Sequence, residues 1–267
     1  MPFTLSHPAA VLPFRRYGVF SALILGSMAP DFLYFIPGHA YGRFGHTGRG
    51  LFVFTLPAAW IALIVFHWIL KRPLAELFPE SIARKLRAAA KPFDFGIWPF
   101  NLGRIAAISA SALAAAVLHV LWDSFTHANG YFAEEVPFLM APLFQNAHGT
   151  VLRVQLFQEI STWFGAIAII WSFRAWLADA PLSSQAGTLP SWARFGIPAA
   201  IGILALLYSV PLGLGPLHYQ LTSYLHWEYF LRITVVTGMR TAFILLFLYC
   251  VTWHAVAARH SAAPPAG

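Results

Sequence analysis

Six apolar runs, each close to the length of a bilayer-spanning helix, constrain this chain more than any other feature. A spanning helix needs about 20 mainly apolar residues. Tyr17–Phe35, Leu51–Leu70, Arg104–Phe125, Val154–Trp176, Phe195–Gly213 and Phe230–Val256 approach or meet that length. Only 10% of the 267 residues are charged, against roughly 25% in soluble domains. No alternating polar and apolar strand pattern is visible. The expectation is therefore an all-α, polytopic membrane helical bundle. It has about five to six spanning helices plus short amphipathic or re-entrant helices, in one domain over residues 1–260 with a disordered tail at 261–267.

The intervening segments refine this picture. Residues 71–91 (KRPLAELFPESIARKLRAAAK) are basic and amphipathic, and are expected to lie at the membrane surface. The formal charge is +7. Its basic residues concentrate in this loop between apolar spans, a pattern of topology or anionic-lipid contact and not of nucleic-acid binding. The Lys/Arg imbalance between loops places residues 71–91 in the cytoplasm of a bacterial inner membrane, with Asp31, His46, His119 and Asp123 toward the outer face. The start does not read as a signal peptide, because Arg15 and Arg16 follow the first apolar stretch instead of preceding it. Residues 17–35 are interrupted by Pro30-Asp31. A helical hairpin turning near Arg16-Tyr17-Gly18 is the preferred alternative to a full span, because it brings His7 and Asp31 to one side. Gly130–Thr150, rich in Pro and Phe, is expected to be a loop with re-entrant character. The lone Cys250 cannot form an internal disulfide.

Chemistry concentrates in AVLHVLWDSFTH, residues 116–127. His119 and Asp123 are four residues apart and share a helix face, so both can reach one ion. Ionisable groups within a membrane helix are costly and mark functional sites by default. Imidazole and carboxylate suit a divalent transition ion, Zn foremost, and no thiolate set is on offer. In chain order His7, Asp31, His46, His119 and Asp123 supply enough ligands for one ion, or for two sharing a carboxylate. Paired ions clamp a phosphoester and activate water. His127 lies further round the helix and can be either a ligand or an outer partner. Each group also has a plainer reading, such as a His–Asp hydrogen bond within the bundle, a helix-end Asp31 or a loop His46. Gln158 and Ser161 in LFQEISTWFG and Arg240 in VVTGMRTAF are polar groups within apolar runs. Gln158 and Arg240 are candidate substrate contacts. An Arg240–Glu159 ion pair is the structural alternative.

The segments MPFTLSHPAAVLPF, GSMAPDFLYF, GHTGRGLF and HVLWDSFTH resemble an uncharacterised bacterial integral-membrane family. That family neighbours the LexA-regulated membrane-bound metal-dependent hydrolases. The ligand order is also distantly similar to that of zinc-dependent phospholipase C. The resemblance implies metal-ligand roles for His7, Asp31, His46, His119 and Asp123. In a hydrolase, Asp31 or Asp123 is expected to serve catalysis by orienting the water or bridging the ions. Two departures stand out. The neighbours place Thr before and Ser after the middle histidine, where this chain has Gly45-His46-Thr47, which leaves His39 as an alternative. They also follow the acidic motif with Thr-Pro, where this chain has Thr126-His127.

The functional expectation is a metal-dependent hydrolase of the membrane, acting on an ester or phosphoester of a small or amphiphilic substrate among membrane lipids. A non-enzymatic membrane protein with a structural metal site is the alternative. A metal or proton transporter fits less well, because the polar groups gather toward one face.

Overall fold

The computed structural model describes residues 4–36, 42–97, 100–146, 149–217, 221 and 224–262. The fold is helical. Five helices are long and apolar enough to cross a membrane, with candidate spans Gly48–Glu76, Leu102–Glu135, Arg153–Asp179, Ser191–Leu214 and Tyr229–Arg259. The chain divides into two compact units. One comprises Met1–Leu63 with Asp94–Trp176, the other Ile64–Phe93 with Leu177–Gly267.

The first unit begins with the short helix α1 (Pro8–Val11), then a 3₁₀ turn at Leu12–Phe14. The chain reverses through residues 15–18 into α2 (Phe20–Gly26) and a 3₁₀ segment, Ala29–Phe35. Residues 17–35 therefore form the second arm of a hairpin and not a spanning helix. Pro30 explains the change of helix type, since its ring removes a donor and crowds the preceding turn.

The hairpin packs on α5 (Leu102–Thr126), which Asn101 caps by accepting a hydrogen bond from the Arg104 N–H at 2.9 Å. Small residues on α5, among them Ser111, Ala112, Ala115 and Ala116, let the backbones approach closely, as in membrane helix interfaces generally. Gly26 needs that approach, because a Cβ there would fall 2.4 Å from the carbonyl oxygen of Ala112. Val11, Leu23 and Ala115 form the buried cluster beneath the hairpin. The Val19 N–H donates to Ser111 Oγ at 3.0 Å, satisfying a backbone donor just before α2.

Helix α3 (Gly48–Glu76) contains two π-helical turns, Leu51–Thr55 and Phe66–Leu70. Each lies shortly before a proline, Pro57 and Pro73, and a wide turn accommodates the ring where a regular helix would clash. Trp60 Nε1 donates to Ser109 Oγ on α5 at 3.0 Å.

The second unit holds α4 (Glu80–Ala89), the amphipathic helix expected from its sequence. In the first unit, residues after α5 form short helices α6 (Tyr131–Glu135) and α7 (Pro137–Met140). A two-stranded antiparallel hairpin follows, β1 (Pro142–Asn146) with β2 (Gly149–Leu152), which sequence patterning did not reveal. Helix α8 (Arg153–Asp179) continues the chain, and the second unit is completed by α9 (Ser191–Leu214) and α10 (Tyr224–Ala262).

Candidate metal centre

Three segments of the first unit supply the centre. The hairpin carries His7 and Asp31, the 3₁₀ turn Gly42–His46 carries His46, and the last turns of α5 carry His119 and Asp123. The loop reaches Asp31 because residue 45 is glycine: a Cβ there would fall 2.3 Å from the carbonyl oxygen of Pro30. The Gly45 carbonyl accepts from Thr55 Oγ1 at 3.1 Å, and Thr47 Oγ1 accepts the Gly50 N–H at 2.9 Å at the start of α3. These bonds hold the His46 loop on α3.

Asp31, His46, His119 and Asp123 each offer one atom to a common centre, and all four atoms lie within 4.8 Å of one another. His46 Nε2 and His119 Nε2 are 3.1 Å apart. His46 Nε2 lies 3.4 Å from both Asp31 Oδ1 and Asp123 Oδ2. His119 Nε2 lies 3.5 Å from Asp31 Oδ1 and 3.4 Å from Asp123 Oδ2. Four ligands held tetrahedrally 2.0–2.1 Å from an ion stand about 3.3–3.4 Å apart. These five separations, 3.1–3.5 Å, bracket that spacing, so the four residues can surround a cation.

The outer partners orient these groups. His119 Nδ1 donates to the Ser27 carbonyl oxygen at 2.7 Å, which leaves the Nε2 lone pair facing the centre in the neutral imidazole. Thr4 Oγ1 donates to Asp31 Oδ2 at 2.6 Å, leaving Oδ1 toward the centre. His7 Nε2 lies 3.0 Å from Asp123 Oδ1, so Asp123 too has one oxygen engaged outside and the other facing in. His7 also stacks beside His119, with ring centroids 3.7 Å apart.

Burial, with His119 alongside, pushes the His7 imidazole down to about 4, so it is neutral at physiological pH. Burial opposes the carboxylate of Asp31, but hydrogen bonding from the protonated rings of His119 and His46 outweighs it and holds the carboxyl below its ordinary range. Burial likewise opposes the charged form of His46, and the Asp123 and Asp31 carboxylates override it and raise its pKa. The centre thus favours positive charge.

The innermost side is sealed, with His119 and Asp31 0% and 2% exposed. The side chains of His46 and Asp123 keep 18% and 13% exposure, so the centre is reached from their side.

Of the residues expected from sequence, His7, Asp31, His46, His119, Asp123 and His127 come together. His127 Nδ1 lies 3.1 Å from the Asp123 backbone oxygen and 3.5 Å from Asp123 Oδ1, beside the centre and outside the four-atom set. Gln158 makes no side-chain hydrogen bond to the cluster among the described residues. Its backbone oxygen accepts from Ser161 Oγ and Thr162 Oγ1, both at 3.0 Å. Arg240 belongs to the second unit and has no ion-pair partner among the described residues. His39 lies outside the described residues. Sequence reasoning missed Thr4 and the Ser27 carbonyl as outer partners. Thr4 stands one turn before His7, the available hint, whereas a backbone carbonyl leaves no mark in sequence.

An apolar groove of about 520 Å³ adjoins this region of α5, lined by Leu118, Trp122, Phe125 and Thr126 with Ile160 and Phe164 of α8. Leu118 and Trp122 alternate along α5 with His119 and Asp123, so the groove and the centre occupy neighbouring faces of one helix.

No curated protein and no solved structure matches this chain. A family model matches residues 1–251, and the chain belongs to the family described as Domain of unknown function (DUF4184).

Proposed function

We propose that this membrane protein is a metal-dependent hydrolase of an ester or phosphoester. The observation that carries the reading is the four-atom centre, whose spacing and donor types suit a divalent ion such as Zn²⁺. When bound, such an ion supplies Lewis acidity and lowers the pKa of a coordinated water to about 7. Asp31, His46, His119 and Asp123 would hold it. Asp31, fixed by Thr4, and Asp123, fixed by His7, are the candidate catalytic carboxylates. His7 Nε2 and Asp123 Oδ1, 3.0 Å apart, can hold a proton between them at the edge of the centre. His127 flanks the same oxygen. His7, His127 and that oxygen are the groups to which a second ion would bind, sharing the Asp123 carboxylate. Gln158 is assigned to the substrate. Arg240 belongs to the second unit and is assigned to an anionic group there.

The apolar groove beside the centre favours an amphiphilic substrate. On this reading the centre faces outward from a bacterial inner membrane and residues 71–91 face the cytoplasm, following the distribution of Lys and Arg.

One observation favours a second reading. Four protein ligands fill a tetrahedron, the pattern of a structural site, whereas catalytic sites keep a position open. The test that separates the readings is a panel of phosphodiesters, phospholipids, polyprenyl phosphates and carboxylic esters assayed with wild type and His119→Ala. Turnover lost with His119→Ala supports hydrolysis. Metal-loaded protein with no turnover and no exchangeable coordination position supports the structural site.

A further inference from the structure

We propose that the second unit carries a binding pocket for the phosphate head group of an anionic phospholipid, separate from the metal centre. The pocket has a volume of about 340 Å³, and Arg72, Glu76, Arg87, Lys91, Thr188 and Trp253 are among its walls. That size is at the lower end for small-molecule sites and suits a head group.

Charge decides the ligand class. Three cations and a single carboxylate line the pocket. The carboxylate is already engaged. Glu76, 3% exposed, accepts from Arg87 Nη1 at 3.2–3.3 Å and from the Thr188 N–H at 3.1 Å, and Arg194 Nη2 lies 3.8 Å away. Glu80 takes the other side of Arg87 and of Arg194. Two carboxylates thus balance two guanidinium groups, and Arg72 and Lys91 remain as additional positive charge without an ion-pair partner among the described residues. Arg87, although its side chain is only 8% exposed, also keeps a buried Nε donor with no hydrogen-bond partner among the described residues. An anion is the ligand that completes this arrangement.

Position selects the source of that anion. Arg72 lies in the last turns of the Gly48–Glu76 span, and Trp253 lies toward the end of the Tyr229–Arg259 span. Aromatic and basic residues at such ends mark the head-group layer. Lys71 Nζ donates to the Lys91 carbonyl at 2.9 Å, and Trp253 Nε1 donates to Thr188 Oγ1 at 3.0 Å, so both walls are fixed in place. Basic pockets between helices at this level bind acidic head groups, each exposed cation adding several-fold in affinity. A zwitterionic head group brings an ammonium against Arg72 or Lys91 and is disfavoured.

The experiment compares wild type, Arg72→Gln/Lys91→Gln and Arg15→Gln/Arg16→Gln in nanodiscs of mixed phosphatidylglycerol and phosphatidylethanolamine. Lipids retained on release are read by native mass spectrometry. Wild type and the Arg15/Arg16 variant, which loses the same charge elsewhere, should retain phosphatidylglycerol selectively. The Arg72/Lys91 variant should bind it about tenfold or more weakly, with metal content and unfolding midpoint unchanged in lipid-free detergent. Neither residue belongs to the Glu–Arg network, so the variant should fold. Equal retention in all three proteins, or equal retention of the two lipids by wild type, overturns the proposal. Displacement of the retained lipid by excess inorganic phosphate assigns the pocket to the free anion and overturns the lipid assignment. The outcome is independent of hydrolase activity.

Discussion

Both units bury acidic residues, and the partners chosen for them differ in kind. In the first unit Asp31 and Asp123 face His46 and His119, and each carboxylate turns one oxygen to a shared centre while Thr4 or His7 holds the other. In the second unit the buried Glu76 and the exposed Glu80 face Arg87 and Arg194 and are bridged directly by guanidinium groups. Arginine is always charged and has no lone pair for a metal, so the Glu–Arg network balances itself and is structural. Neutral histidine does offer a lone pair, so the His–Asp cluster can take a cation from outside. Burial of carboxylates therefore does not by itself mark a metal site. The base opposite them decides.

Four experiments can break this contrast, from the largest expected effect to the smallest. Replacing a ligand, as in His119→Ala or Asp123→Ala, should lower metal affinity by more than about 100-fold, since loss of an outer partner alone costs about 10–100-fold. Elemental analysis after dialysis reads the result. Glu76→Ala should do the converse. It leaves Arg87 and Arg194 short of a buried partner and should destabilise the protein by about 3–5 kcal/mol, read as a lower unfolding midpoint, with metal content unchanged in the protein still folded. Thr4→Val, which removes the hydroxyl on Asp31 Oδ2, should weaken metal binding by about tenfold and leave the fold intact.

The fourth experiment is acidification. Histidine ligands must be deprotonated to bind. The His46 pKa is raised in the metal-free centre, so protons compete from above the ordinary histidine value of about 6.5. Metal retention should be full at alkaline pH and fall as pH drops through that range. The arginines keep their charge throughout. A metal titration at pH 8, 7 and 6 checks this.

Much of the fold was legible because bilayer thickness imposes a length that apolar runs report directly. The hairpin was also legible, since Pro30-Asp31 interrupts its run and the Arg15-Arg16 pair sits where the turn forms. The β1–β2 hairpin escaped notice, because PLFQN and GTVL are too short to show alternation. The π turns of α3 escaped for another reason: Pro57 and Pro73 signal strain but not how a helix relieves it. At the centre, the four-residue spacing of His119 and Asp123 set the face. The convergence of Asp31 and His46 depends on a close backbone approach at Gly45, which sequence spacing does not encode. The Glu76–Arg194 pairing was invisible for the same reason, since it joins residues more than a hundred positions apart.

The most direct test of the central claim is metal analysis of the purified, chelator-free protein combined with X-ray absorption at the metal edge. The account predicts a bound divalent transition ion with nitrogen and oxygen neighbours at about 2.0–2.2 Å, lost in His119→Ala/Asp123→Ala and retained in a Glu76 variant. Metal-free wild type from repeated preparations would contradict it, as would stoichiometric metal with unchanged coordination in the double variant.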